Sequence, residues 1–199
     1  MQKSAALIAL MLILSSTAQA RNHNKMKVPP DACQGGTYST VSVSENGTLS
    51  ILFDNFSIST PAGPQKAVER RSCNVQVPLS LPQGYSLGVY EVDYRGFAHL
   101  ADKQHMELSV NYSVGRRNGG RGFRRQIRGA YEGEFTYSEA LRPGILKRIG
   151  CGEEAVLNIA ATLELKTSKQ TSEAMVVLDS IDGAPSGLVY RFDLKKCGA

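Results

Sequence analysis

Hydrophobic positions recur at every second residue over most of this chain. Met106, Leu108, Val110, Tyr112 and Val114 share one face of a strictly alternating run, and Leu157, Ile159, Ala161, Leu163 and Leu165 share one face of another. Extended backbone sends successive side chains to opposite sides, so both runs predict strands with one buried face. Shorter alternations predict further strands: Val41 and Val43; Leu49, Ile51 and Phe53; Val75, Val77, Leu79 and Leu81; Tyr131, Gly133, Phe135 and Tyr137. Residues 85–94, 174–178 and 188–194 are rich enough in apolar and β-branched side chains to join them.

The connections fit the same picture. Asn46-Gly47 separates two alternating runs, and both residues tolerate the positive φ of a type I′ turn, so a hairpin is expected there. Asp182-Gly183 marks a second turn. Residues 59–71 are rich in turn formers and charge and read as a long connection. Pro78 lacks an amide hydrogen, which places its strand at an edge or a bulge. One short helix, broken near Pro143-Gly144, is expected within residues 138–149. About nine strands with almost no helix predict an antiparallel β-sandwich, jelly-roll-like, over residues 33–199 as a single domain.

The first twenty residues change the picture by adding a compartment. Lys3, the apolar run of residues 5–14 and the small residues ending at Ala18-Gln19-Ala20 have the layout of a cleavable secretory signal peptide. The apolar run is far shorter than the roughly 18 residues needed to span a bilayer. No other segment is apolar enough for a transmembrane span, and no cysteine follows the expected cleavage site for a lipid anchor. Residues 21–32 are polar, contain Pro29-Pro30, and read as a flexible leader. A secreted or periplasmic protein is therefore expected. That compartment is oxidising, so Cys33, Cys73, Cys151 and Cys197 are expected to form two disulfides. Three pairings are possible, and the preferred one joins Cys33 to Cys73 and Cys151 to Cys197. Zinc is disfavoured because no two cysteines lie close together and none has a nearby histidine.

Several of these residues also carry a family resemblance. The run RRSCNVQVPLSLPQGYSLGVYEVDYRGFAHL, the pair Cys151-Gly152 ahead of AVLNIAATLEL, and the closing Cys197 resemble the secreted family known as domain of unknown function 4360. Its fungal and bacterial members share an Arg-x-Cys or Asn-Cys start, a Pro-x-Gly turn, an Asp-Tyr-Arg-Gly-Phe/Tyr stretch and a Cys-Gly before an Asn-Ile strand. The resemblance covers Cys33 to Cys197 and implies an exported, disulfide-bonded, mostly β domain with no established activity. Two departures stand out. Lys147-Arg148-Ile149-Gly150 replaces the family's Trp-Ser-Pro, and the polar, uncharged loop usual after the Met106 strand is here rich in arginine.

Candidate chemistry is sparse. GYSLG, residues 84–88, matches the G-x-S-x-G string of serine hydrolases, with Asp93 and His99 following. A nucleophile elbow needs a strand before its serine and a helix after it, whereas here a turn precedes and a strand follows. Asp93, Tyr94 and Arg95 form a dense polar cluster. Arg95 could clamp an anion, with Asp93 holding it; the simpler reading is a cross-strand ion pair. His23, His99 and His105 do not form a metal set; His99 and His105 read as loop residues flanking Asp102. Asp179, Asp182 and Gly183 do not have the spacing of an EF-hand. Neither a metal nor a cofactor is expected. Asn46, Asn55 and Asn111 head Asn-x-Ser/Thr sequons, which matter only in a host that glycosylates exported proteins.

Charge singles out one stretch. The chain carries a formal net charge of +5, and six arginines lie together in GRRNGGRGFRRQIRG: Arg116, Arg117, Arg121, Arg124, Arg125 and Arg128. Without them the rest of the chain is slightly acidic. The stretch reads as a loop joining two strands. Arginines interleaved with glycines and one aromatic, Phe123, suit an anionic polysaccharide or another polyanion; the alternative is a solvated loop that blocks edge-to-edge pairing of sheets. Three functions follow as expectations: an envelope or extracellular module binding anionic polymers, a secreted hydrolase acting on an envelope or environmental polymer, and a purely structural surface protein. Nothing in the sequence sets the oligomeric state.

Overall fold

Alternating sequence becomes extended backbone throughout, and among the described residues there is no helix. The computed structural model describes residues 25–27, 33, 38–43, 48–63, 68–79, 81–114, 121–141, 148–151, 155–167, 172–178 and 187–198. In chain order the strands are β1 (Lys25–Lys27), β2 (Tyr38–Val43), β3 (Thr48–Asp54), β4 (Ser57–Thr60), β5 (Val68–Leu79), β6 (Tyr85–Leu100) and β7 (His105–Val114). They continue with β8 (Arg121–Arg128), β9 (Tyr131–Ala140), β10 (Ile149–Gly150), β11 (Ala155–Lys166), β12 (Ala174–Val177) and β13 (Gly187–Lys196). The expected signal peptide and the Asn46-Gly47 and Asp182-Gly183 turns lie outside the described residues, as do residues 142–147 of the expected helix, whose two ends belong instead to the strands β9 and β10.

Two antiparallel sheets result. The smaller has the order β5-β11-β7-β8 and contains both strictly alternating runs at its centre. Pro78 sits on β5, an edge strand, where its missing amide hydrogen is tolerated. The larger sheet has nine strands and is organised on β6. β13 and β12 pair with successive stretches of β6, and β3 and β4 pair with β13 and β12 in turn. The path β3 to β4 thus acts as one strand broken at Asn55, whose φ of 61° is a left-handed conformation that asparagine accepts more readily than most residues. β9 lines the other side of β6.

One irregularity in β6 explains why its sequence does not alternate cleanly. Arg191 pairs with Glu91 but Phe192 pairs with Val89, leaving Tyr90 as an extra residue. Such a bulge shifts side-chain parity by one. Leu87 and Val89 before it, and Val92 and Tyr94 after it, are accordingly all buried. Gly187, at the start of β13, has φ +127° and lies so close to β3 that a Cβ would land on the carbonyl of Ile51; both features require glycine.

The core lies between the sheets. Val75, Leu108, Val110, Ile159, Leu163 and Leu165 from the smaller sheet meet Leu49, Ile51, Phe53, Val92, Ala98 and Leu188 from the larger. Each fully buried side chain of this size contributes about 1.5–3 kcal/mol relative to exposure. Cys33 is bonded to Cys73, 40 residues on, and Cys151 to Cys197, 46 residues on. In the chain-entropy account, loops of that length make each bond worth on the order of 4 kcal/mol.

Three sequence expectations change. Residues 121–128 are not loop but strand β8. His99 lies within β6 and His105 opens β7, so the turn between them is confined to residues 101–104. β5 begins at Val68, so the connection after β4 is shorter than residues 59–71.

Candidate functional site

The outward side chains of the smaller sheet form a regular lattice, because four strands pair in exact register. Reading across β5, β11 and β7, Gln76 stands beside Asn158 and Ser113. The next row is Asn74, Ala160, Asn111 and, on β8, Gly122. Then come Ser72, Thr162, Ser109 and Arg124, followed by Arg70, Glu164, Glu107 and Gln126. The last row is Val68, Lys166, His105 and Arg128. The first two rows surround a depression of about 550 Å³ lined by Asn74, Gln76, Asn111, Ser113, Asn158 and Ala160. Ala160 and Gly122 provide little bulk, and a Cβ on Gly122 would stand 3.0 Å from Asn111 Oδ1. The depression therefore lies where small residues interrupt a field of amides.

Below it the face becomes charged. Glu164 accepts hydrogen bonds from Lys166 and Arg70, which hold its carboxyl below the usual range against the opposing effect of burial. Glu107 accepts from Gln126 at 2.7 Å and Ser109 at 3.1 Å and pairs with Arg124 at 3.2 Å. The Gln126 bond is the main reason its carboxyl is also held low. Both glutamates thus stay ionised and locally neutralised.

The described arginines of β8 have four different surroundings. Arg121 Nε donates to Glu139 Oε1 at 2.9 Å, and Glu139 Oε2 also accepts from Tyr94 at 3.0 Å and Tyr112 at 3.1 Å. Arg124 pairs with Glu107. Arg125 lies over the Phe123 ring, 5.0 Å from its centroid, and donates to the carbonyl of Arg124. Arg128 is exposed. Among the described residues neither Arg125 nor Arg128 has a carboxylate partner. Phe123 is buried and stacked on Tyr94, with centroids 3.6 Å apart, so it is no platform for a nucleic-acid base. Arg116 and Arg117 lie outside the described residues.

Residues 25–197 match the family model described as domain of unknown function (DUF4360). The chain belongs to this family. Over 159 residues this DUF4360 chain is 21% identical to an "Uncharacterized secreted protein" of Arthroderma benhamiae. The match covers 79% of the chain and 64% of the relative, so the chain spans less than two thirds of that protein's length.

The DUF4360 stretch Asp93-Tyr94-Arg95 is divided by the strand's period of two. Tyr94 is fully buried between the sheets, whereas Asp93 and Arg95 share the outer face of the larger sheet. There Asp93 accepts from Ser138 at 2.6 Å, Arg191 at 2.9 Å and Arg95 at 3.3 Å. Burial raises its pKa, but these partners outweigh burial and hold the carboxyl below its ordinary value. Arg95 and the outward arginines of β8 consequently lie on opposite faces of the sandwich and share no site.

The Gly84–Gly88 string is the turn into β6: Gly84 has φ +76°, and Ser86 Oγ is held between the Lys195 carbonyl and Arg148. At about 3.3 Å per strand residue, Ser86 and Asp93 are roughly 20 Å apart along β6, and His99 is about as far again. These three cannot act as a triad. Among the described residues no group of three His, Cys, Asp or Glu side chains is placed to hold a metal.

Sequence reasoning missed two sets of residues. Glu139 falls on the same face of β9 as Phe135 and Tyr137, and a carboxylate in that series is the signal for a buried polar partner. Asn74, Gln76, Asn111 and Asn158 each occupy the outward phase of an alternating strand, but only the pairing of β5, β11 and β7 brings them together.

Proposed function

We propose that this DUF4360 protein is an extracellular binding module for anionic polymers, acting through the arginines of β8. The observation that carries the reading is that Arg128 shares the outer face of β8 with the exposed Arg124 and, like Arg125 on the strand's other phase, has no carboxylate partner among the described residues. A strand presents guanidinium groups at defined spacing, and their planar forks suit carboxylate, sulfate or phosphate oxygens. Arg121 is excluded from this set because it lies on the inward phase of β8, where Glu139 engages it, whereas Arg124 keeps a largely exposed guanidinium beside its Glu107 pair. Export is supported by the two disulfides, by the signal-like first twenty residues and by a relative named as secreted.

Retention on immobilised heparin across a salt gradient tests the reading. The wild-type chain is expected to bind at low ionic strength and to elute progressively as salt screens the guanidinium groups. R124Q/R125Q/R128Q, verified as folded and monodisperse, is expected to lose retention. Equal retention of that variant would remove β8 as the binding element.

A further inference from the structure

We infer that the depression on the outer face of the smaller sheet is a sugar subsite, and that the anionic polymer this protein binds is an acidic polysaccharide. The inference rests on the proposed role of β8 and deepens it.

The lining chemistry selects for hydroxyls. Asn74, Gln76, Asn111 and Asn158 surround the depression on three adjacent strands, with Ser113 beside them and no charged side chain in its lining. A primary amide offers two donors and a carbonyl acceptor, so it can engage neighbouring hydroxyls that themselves donate and accept. A bare phosphate chain offers only acceptors to such a surface and would leave the amide carbonyls unused. The floor at Ala160, with the open flank at Gly122, leaves room for a ring rather than a side chain.

The charged rows supply the other half of the recognition. On the same outer face Arg70, Lys166, Arg124 and Arg128 stand against Glu164 and Glu107, four cations to two carboxylates, an excess of two positive charges. Gly122, at the edge of the depression, is two residues from Arg124 and six from Arg128. At about 3.3 Å per residue, the cations begin roughly 7 Å from the depression and extend to about 20 Å. A ligand that fits both regions carries hydroxyls on one unit and an acid group on a neighbouring unit. Phe123 and Tyr94 are stacked on each other inside the sandwich, so neither offers a base-stacking surface to a nucleic acid.

The test compares two probes of similar charge, hexagalacturonate and linear hexaphosphate, by calorimetric titration of the full secreted chain made in a host that leaves Asn111 unmodified. Two independent changes address the depression: N74A/N111A removes amides, and A160I fills the floor. All of these side chains face solvent, so melting curves are expected to match wild type. The expected result is that each variant binds hexagalacturonate about tenfold or more weakly while hexaphosphate binding is unchanged. If the wild type binds both probes and neither variant alters either affinity, the sugar subsite is overturned and the arginine reading stands. If the wild type binds neither probe, the arginine reading fails and the subsite falls with it. If the wild type binds only hexaphosphate, the assignment to a polysaccharide is overturned.

Discussion

Glu139 accepts hydrogen bonds from two tyrosine hydroxyls and one guanidinium that arrive from three strands and both sheets. Tyr94 and Tyr112 are essentially inaccessible to water, so removing their acceptor leaves two buried donors unpaired. A buried unsatisfied donor costs about 1–3 kcal/mol. E139A is therefore expected to destabilise the protein by about 2–4 kcal/mol, with Arg121 contributing little because its side chain is 44% exposed. E139Q keeps one carbonyl oxygen and a similar volume, and is expected to cost about 1 kcal/mol. Urea unfolding distinguishes the two through their midpoints at unchanged slope. Equal midpoints for E139A and wild type would mean that water satisfies both tyrosines and that the network does not hold the sheets together.

At the scale of the element, β8 decides how much of this protein could be read from its sequence. β7 and β11 were legible because each has an unbroken apolar inner face, set against an outer face that is polar throughout in β7 and mostly polar in β11. β8 was not: Arg121 and Arg125 fall on the same phase as the buried Phe123 and Ile127, so arginine occupies both phases and the alternation disappears. Tyr90 hid the phase of β6 in a different way, by inserting one residue. The amide-lined depression was invisible for a third reason, since its residues come from strands separated by tens of positions and meet only through register.

The charges on β8 also protect an edge. Among the described residues no strand pairs with its outer side, and inward-pointing charge is a recognised way to keep such an edge from pairing with another chain. R124T/R125V replaces both arginines with strand-forming, uncharged side chains. Sedimentation analysis is expected to show concentration-dependent association of this variant where the wild type shows none beyond its own basal state. An unchanged sedimentation profile would assign edge protection elsewhere.

Considered as a whole molecule, the sandwich closes over three tyrosines that link its layers: Tyr94 and Tyr190 from the larger sheet and Tyr112 from the smaller, the last two meeting edge to face with centroids 5.7 Å apart. Burial is the main reason that all three phenols are held above the ordinary value of 10.0, with Glu139 adding to the effect at each and neighbouring phenols adding to it at Tyr94 and Tyr190. Tyr190 finds no hydrogen-bond partner for its hydroxyl among the described residues, so nothing there stabilises its ionised form. In the unfolded chain the same phenols ionise near 10. Below that pH both states hold the protons, and the stabilisation is fully present. As pH rises above it, the unfolded state releases protons that the folded state keeps, so stability falls with increasing pH. Ultraviolet titration of phenolate and circular dichroism are therefore expected to report one event for these residues: their absorbance stays silent until the β signal collapses. Phenolate absorbance from Tyr94, Tyr112 and Tyr190, identified by single Phe substitutions, that rises while the sheet signal is intact would show that the two layers separate locally. In that case the core would not open as a single unit.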